Sequence, residues 1–310
     1  MVNLRCLKLG CLCAAMVLIL ANLSACGGGA STTTTVTDAA ALPSTTTTAA
    51  VTAPPPAPSP PSPPSWKLVW SDEFDGTGLP NADKWDYDTA RNKVGWFNNE
   101  LQYYARDRLE NARVENGKLV IAARKEKLAT AADYGNQSYT SARLITRGLA
   151  SWTYGFFEVR AKLPCGAGTW PAIWTLGTSG LWPIDGEIDI MEQLGQNKTE
   201  VLGTIHTRAY NYFNGTLGSG LGGKTAVTDS CTNFHNYQLT WTADQITIGI
   251  DGAPYFVYNN PKNGSYAQWP FDNPQYLILN LAIGGDLGGA VPEIFITQQM
   301  EVDYVRVYQK

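Results

Sequence analysis

The chain has 310 residues, 44% of them apolar, and a formal net charge of −4. That acidic balance lends no support to a nucleic-acid-binding surface. All 34 aromatic side chains lie from Trp66 onward, so the first 65 residues cannot share a core with the rest and the chain divides near Trp66. The 245 residues from Trp66 to Lys310 carry 21 basic and 26 acidic side chains and suffice for one large β or α/β domain. Length alone also allows two smaller domains; no second linker is visible, which favours one.

Residues 1–25 read as a targeting segment. Arg5 and Lys8 precede the apolar run LGCLCAAMVLILANL, and small residues follow. The run ends in LSAC and so resembles a bacterial lipoprotein signal, in which Cys26 becomes the lipidated N-terminus. An ordinary cleaved signal and a retained anchor helix are the other readings, although the run is short for a membrane span. Gly27 does not resemble the residue type associated with inner-membrane retention. The expectation is therefore an exported protein, lipid-anchored to a bacterial membrane, the outer one by preference, or to the cell surface. Residues 26–65, rich in Thr, Ala and Pro, cannot bury a core; they read as a disordered linker that stiffens into polyproline-like extension after Ala53. Fully stretched, such a tether reaches about 130 Å. With Cys6, Cys11 and Cys13 removed and Cys26 lipidated, Cys165 and Cys231 remain in an oxidising compartment. A bridge and a pair of buried thiols both fit, and spacing does not choose between them.

From Trp66 the pattern is that of an all-β protein. Short runs rich in β-branched and aromatic residues recur: KLVWSDEF, ELQYYA, ARVENGKLVIAAR, SARLITRG, YGFFEVRAKL, YQLTWTADQITIGIDGAPYFVY, QYLILNLAIGG and MEVDYVRVYQ. Asn116-Gly117 and Asp251-Gly252 are hairpin-turn dipeptides between such runs. Many strands and few helical periods predict two packed antiparallel sheets, as a two-sheet sandwich or a jelly-roll β-sandwich. The abundant aromatics suit sugar faces, but they suit the core of a large sandwich as well.

The segment DGEIDIMEQLG, Asp185 to Gly195, poses a geometrical problem. On a plain strand Glu187 and Asp189 share a face, and the next residue of that parity is Met191, so Glu192 points away. On a helix, advances of roughly 200° and 500° from Glu187 scatter the three carboxylates. A β-bulge around Ile190 and Met191 would return Glu192 to the face of its partners. Retaining glycoside hydrolysis needs such a pair, a proton donor for the leaving oxygen and a second carboxylate for the anomeric carbon, about 5 to 5.5 Å apart. Glu187 and Glu192 meet that requirement with Asp189 between them to steady the charge of either. The alternative is a solvated acidic strand face; apolar Ile188, Ile190 and Met191 speak against it.

GEIDIME resembles the catalytic signature of glycoside hydrolase family 16, in the form with an extra residue found in bacterial laminarinases, the endo-β-1,3-glucanases. WSDEFDG, NNELQYY, NGKLVIAARKE, SARLITRG, YGFFEVRAKLP, GTWPAIWTLG, GTIHT, LILNLAIGG and VDYVRVYQ stand in family order from Trp70 to Gln309. The resemblance thus spans essentially the whole of residues 66–310. It implies a catalytic domain with a concave substrate cleft, in which Glu187 matches the nucleophile, Asp189 the assisting acid and Glu192 the general acid/base. Trp170 and Trp174 match aromatics lining the donor side, Asn98 and Arg143 polar residues there, His206 a position beside the cleavage point and Asn280 the cleft wall. Read without the family, either Trp could be core packing, Asn98 a turn residue and Arg143 a surface ion-pair member. His206 and His235 are too far apart, and lack partners at ligand spacing, for a zinc pair.

Catalysis needs no cofactor on this reading. A structural Ca2+ is a further family expectation, with Glu73 and Gly117 offering backbone carbonyls and Asp303 its carboxylate. The implied partner is a laminarin-like β-glucan, cut internally by a monomer. The competing readings are another family-16 specificity (mixed-linkage glucan, agar or carrageenan) and a non-catalytic glucan-binding protein. The lichenase-like signature lacks the extra residue, sulfated galactans favour a more basic cleft, and binding relatives have lost the carboxylates that stand here.

Overall fold

A computed structural model of the chain describes residues 66–211 and 221–310, all within one compact unit running from Ala57 to Lys310. The expected signal, Cys26 and linker lie outside the described residues. Among the described residues, seventeen strands form two sheets. The smaller, in spatial order, is β12 (Gly222–Ala226), β11 (Glu200–His206), β10 (Glu187–Gln193), β9 (Thr169–Gly177), β16 (Gln275–Ile283), β7 (Arg143–Ile145) and β2 (Asp86–Tyr87). The larger runs β15 (Ala253–Asn259), β14 (Gln245–Ile250), β13 (His235–Trp241), β8 (Gly155–Lys162), β17 (Thr297–Gln309), β5 (Lys118–Arg124), β6 (Tyr139–Ser141) and β3 (Gln102–Tyr104). Beside that path β1 (Lys67–Asp72) pairs with β17, and β4 (Ala112–Glu115) with β5. The architecture is the predicted jelly roll. Every ladder among the described residues is antiparallel except one: β3 and β6 pair in parallel.

All eight predicted runs contain strands, because their alternation gives each one apolar face for the space between the sheets. β11 shows this plainly: Val201 and Ile205 are fully buried while Leu202, Thr204 and His206 are only partly so. The two hairpin dipeptides adopt left-handed backbone at both residues, Asn116 and Gly117 at φ 53° and 70°, Asp251 and Gly252 at 51° and 83°. That is the twist a two-residue turn needs to match its strands. The described helices are short: one turn, α1 (Gly285–Gly288), and a 3-10 turn at Gly195–Asn197.

Much of the aromatic content fills the core. Trp85, Trp152, Trp241, Phe157 and Phe271 are buried there, with Trp70 edge-on to both Trp85 and Trp152. Cys165 and Cys231 are bridged, with Cα atoms 5.2 Å apart, closing a loop between residues 66 apart in sequence.

Candidate active site

The β10 ladder resolves the spacing of the three carboxylates. Opposite β9, Glu187 faces Leu176 and Asp189 faces Trp174, but Met191 faces Ile173 and Glu192 faces Ala172. Two steps along β10 therefore match one step along β9. The β11 register agrees: Glu187 lies opposite His206, Asp189 opposite Thr204 and Glu192 opposite Leu202. One extra residue is inserted at Ile190 and Met191, and it returns Glu192 to the face of Glu187 and Asp189. Ile188, Ile190 and Met191 are all fully buried on the other face, against the larger sheet. Apolar burial on one side thus holds the carboxylates on the other.

The same face collects most of the residues expected around them. Trp170 and Trp174 have the parity of Ala172, Asn280 pairs with Ala172 across β16, and Arg143 pairs with Asn280 across β7. Trp170 Nε1 donates to Glu192 Oε1 at 2.8 Å, and Trp174 Nε1 donates to Asn280 Oδ1 at 2.7 Å. The Arg143 guanidinium lies 4.6 Å from the Trp174 ring centre and 5.1 Å from that of Trp96, with its Nε 3.2 Å from Asp88. It is an ion-pair member and part of the site at once. His206 Nε2 approaches Asp189 Oδ2 to 3.3 Å, and the Thr204 hydroxyl donates to the same carboxylate oxygen. Polar atoms of Glu187, Asp189 and His206 all lie within 4.8 Å of one another.

Crowding like charges where little water reaches them moves their protonation. Burial, and then the charge of Asp189, pushes the Glu192 carboxyl up to about 8, against the opposing Trp170 hydrogen bond. Glu187 is raised by burial first and then by Asp189, while His206 and a hydrogen bond from the Trp182 indole pull it back. Burial alone would lower His206, but the negative charge of Glu187, and then Asp189 and Glu192, overrides it and lifts the imidazole to about 10. The arrangement is three crowded carboxyls, of which Glu187 and Glu192 hold a proton more tightly than a free carboxyl does, and a cationic imidazole on one strand pair. Such a set can deliver a proton and stabilise a developing positive centre.

The remaining expectations fall elsewhere. Asn98 is exposed, in left-handed backbone at φ 56°, and its carbonyl accepts from the Asp286 N–H at 2.8 Å; this holds the 98–100 loop against α1, near Trp170. Glu73, Gly117 and Asp303 lie away from the site, around β17. Three neighbours were not singled out from the sequence. Glu100, in NNELQYY, accepts from Gln102 Nε2 at 2.7 Å and from the Tyr104 hydroxyl at 3.4 Å, and its charge reaches Glu192. Tyr104 in turn accepts from Asn280 Nδ2 at 3.1 Å, tying Glu100 to Trp174 through Asn280. Trp182, in the loop before β10, meets Glu187 and tilts over His206 at 6.1 Å. An aromatic beside GEIDIME was the only available signal for it.

The family model described as Glycosyl hydrolases family 16 matches residues 99–306. The chain is 50% identical over 258 residues to a protein named Beta-glucanase from Rhodothermus marinus, covering 79% of this chain and 86% of that one. It is 38% identical over 256 residues to a Glucan endo-1,3-beta-glucosidase from Cryptopygus antarcticus, covering 78% of this chain and 92% of that one. Among solved structures it resembles SCLam, described as a non-specific endo-beta-1,3(4)-glucanase from family GH16, with 55% identity and a TM-score of 0.77 over 81% of this chain and 94% of that one.

Proposed function

This chain belongs to glycosyl hydrolases family 16, and from that premise we propose that it hydrolyses internal β-1,3 bonds of laminarin-like glucans with retention of configuration. In the first step Glu192 gives its proton to the glycosidic oxygen as the bond from that oxygen to the anomeric carbon breaks. The Glu187 carboxylate bonds to the same carbon from the opposite side, and the acceptor sugar leaves. In the second step Glu192, now a carboxylate, takes a proton from water, whose oxygen displaces Glu187. The sugar is released with its original β configuration and Glu192 is protonated again. Asp189 and the His206 cation hold Glu187 in place and limit the charge gathered on one face. The indole N–H of Trp170 steadies Glu192 in the step where it is ionised.

The observation that carries the reading is the bulge, which gathers Glu187, Asp189 and Glu192 on one face. Trp170 and Trp174 beside them offer apolar platforms for sugar rings. A second reading, cleavage of mixed-linkage β-1,3-1,4-glucan as well, is favoured by similarity to the non-specific glucanase SCLam. Product analysis after incubation with laminarin, lichenan and agarose separates the two. The expected result is a ladder of short oligosaccharides from laminarin, with β anomers appearing first by NMR. Cleavage of agarose alone, or first-formed α anomers, overturns the proposal.

The same proposal includes export and a lipid anchor at Cys26, supported by LSAC after the apolar run. Cys26→Ala should then release the protein from host membranes in a fractionation. It also includes a structural calcium ion. β5 and β1 pair along one edge of β17, β5 as far as Val302 and β1 from Val305, and Asp303 falls between them where the β8 register also shifts. Glu73 directly follows β1 and Gly117 directly precedes β5, and backbone carbonyls there would be the hard oxygen donors that suit calcium. Asp303 Oδ2 already accepts from Arg160 Nη1 at 2.6 Å, so its other oxygen would serve the ion. A melting temperature unchanged by a calcium chelator would remove this part of the proposal.

A further inference from the structure

The bulge that brings Glu192 to the open face leaves Ile190 without an opposite residue on β9 or on β11. A strand that could relax to plain alternation would turn Glu192 towards the core, so something must hold the extra residue where it is. The contact comes from the other sheet. Tyr255 of β15 donates its hydroxyl to the Ile190 carbonyl at 3.3 Å. Its path runs beneath β11 and β12 where two glycines stand opposite each other, Gly203 and Gly223. Gly203 has the parity of buried Val201 and Ile205, so it faces the core.

A Cβ on Gly203 would stand 2.7 Å from the Tyr255 hydroxyl oxygen and 2.9 Å from Ile248 Cγ2. A Cβ on Gly223 would stand 2.8 Å from the Tyr255 carbonyl oxygen and 2.9 Å from Phe256 Cβ. Neither glycine has left-handed backbone, so conformation does not call for them. Room for the tyrosine does. Burial, and then the charges of Glu192 and Asp189, push the phenol up, which keeps it a neutral donor.

We propose that Tyr255 is a positioning residue for Glu192. Its hydroxyl, admitted by the notch at Gly203 and Gly223, fixes the bulge at Ile190 and so keeps the Glu192 carboxyl on the face of Glu187 and Asp189. This rests on the reading of Glu192 as the acid/base.

The test is kcat/KM of Tyr255→Phe on two substrates. With laminarin, whose leaving sugar must be protonated, it should fall about tenfold or more, with KM unchanged. With 2,4-dinitrophenyl β-laminaribioside, whose leaving group departs unprotonated, the loss should stay within about threefold. A merely structural tyrosine lowers both alike, and that result, or parent-level activity on laminarin, overturns the proposal. Gly203→Ala, which displaces the hydroxyl but leaves it in the chain, should show the same substrate split, and it decides the matter if Tyr255→Phe does not fold. The double variant should be no worse on laminarin than Gly203→Ala alone; additive losses overturn the proposal. Glu192→Ala, run alongside, separates the two ideas: if it keeps parent activity, the acid/base reading fails and the pin loses its purpose.

Discussion

On β17, Glu301 is buried between two ammonium groups, Lys118 Nζ at 2.5 Å and Lys162 Nζ at 2.7 Å, whereas on β10 Glu192 is half-buried beside a second carboxylate and an indole. The two acids titrate in opposite directions. Burial opposes ionisation at Glu301, but the hydrogen bonds from Lys118 and Lys162 outweigh it and hold the carboxyl below its ordinary range. The same logic governs Glu73, where burial is outweighed by paired hydrogen bonds with Arg306 at 2.8 and 3.0 Å. On the larger sheet these acids have cations beside them. On the open face of the smaller one, three carboxyls share one imidazole. A fold that sets cations beside Glu301 and Glu73 but leaves these three crowded tolerates instability at the site where a proton must be held and released.

The sharpest way to break this contrast is to remove the acids. Glu187→Ala and Glu192→Ala should each lower glucan hydrolysis about a thousandfold or more while the protein stays folded; Glu301→Gln should leave turnover near the parent's. Azide should rescue Glu187→Ala with an α-linked product, and Glu192→Ala only with a good leaving group and a β product. Opposite anomers at the two sites would reverse the roles.

A pH series comes next in size. Since Glu192 is lifted to about 8, kcat/KM for laminarin should fall as pH rises through that value and the acid is lost. His206, lifted to about 10, stays charged across that window.

Stability sharpens the comparison further, and with opposite signs. For Glu192 the folded state holds its proton to higher pH than the unfolded state. Between about 4.5 and 8 the unfolded chain therefore ionises first and the parent loses stability. The melting temperature of Glu192→Gln relative to the parent should rise across that window and then level off. For Glu301 the folded carboxyl is held low, so its contribution is present above the unfolded value and is lost as pH falls. Glu301→Gln should cost about 1–2 kcal/mol near neutrality, and less in acid, in denaturant titrations.

The carboxylate cluster was legible in the sequence because its parts are local. The parity of Glu187, Asp189 and Glu192 conflicts with apolar Ile190 and Met191 within seven residues, and one bulge resolves the conflict. Strands announced themselves by alternation, and two turns by Asn-Gly and Asp-Gly. What could not be read depends on contacts across the sandwich. Tyr255 looks like any tyrosine in a β-rich run, since its partner is 65 residues upstream on the other sheet. Glu100 opens a strand-like segment and is indistinguishable there from a solvated glutamate; it is tied to the site by a bridge to Gly284, just past β16 and far along the chain. The pairing of Cys165 and Cys231 was open for the same reason, as spacing carries no distance.

β17 has one more consequence. Residues 297–309 lie between β8 and β5, in the middle of the larger sheet, and also carry β1. The ribosome makes this segment after every other strand described, so β8 and β5 have no shared neighbour, and β1 has none at all, until it emerges. The larger sheet cannot close during synthesis. Its assembly waits for contacts between the two ends of the domain, the slow non-local kind. A chain kept open in this way stays threadable until its last strand is made, and its sandwich is completed only then.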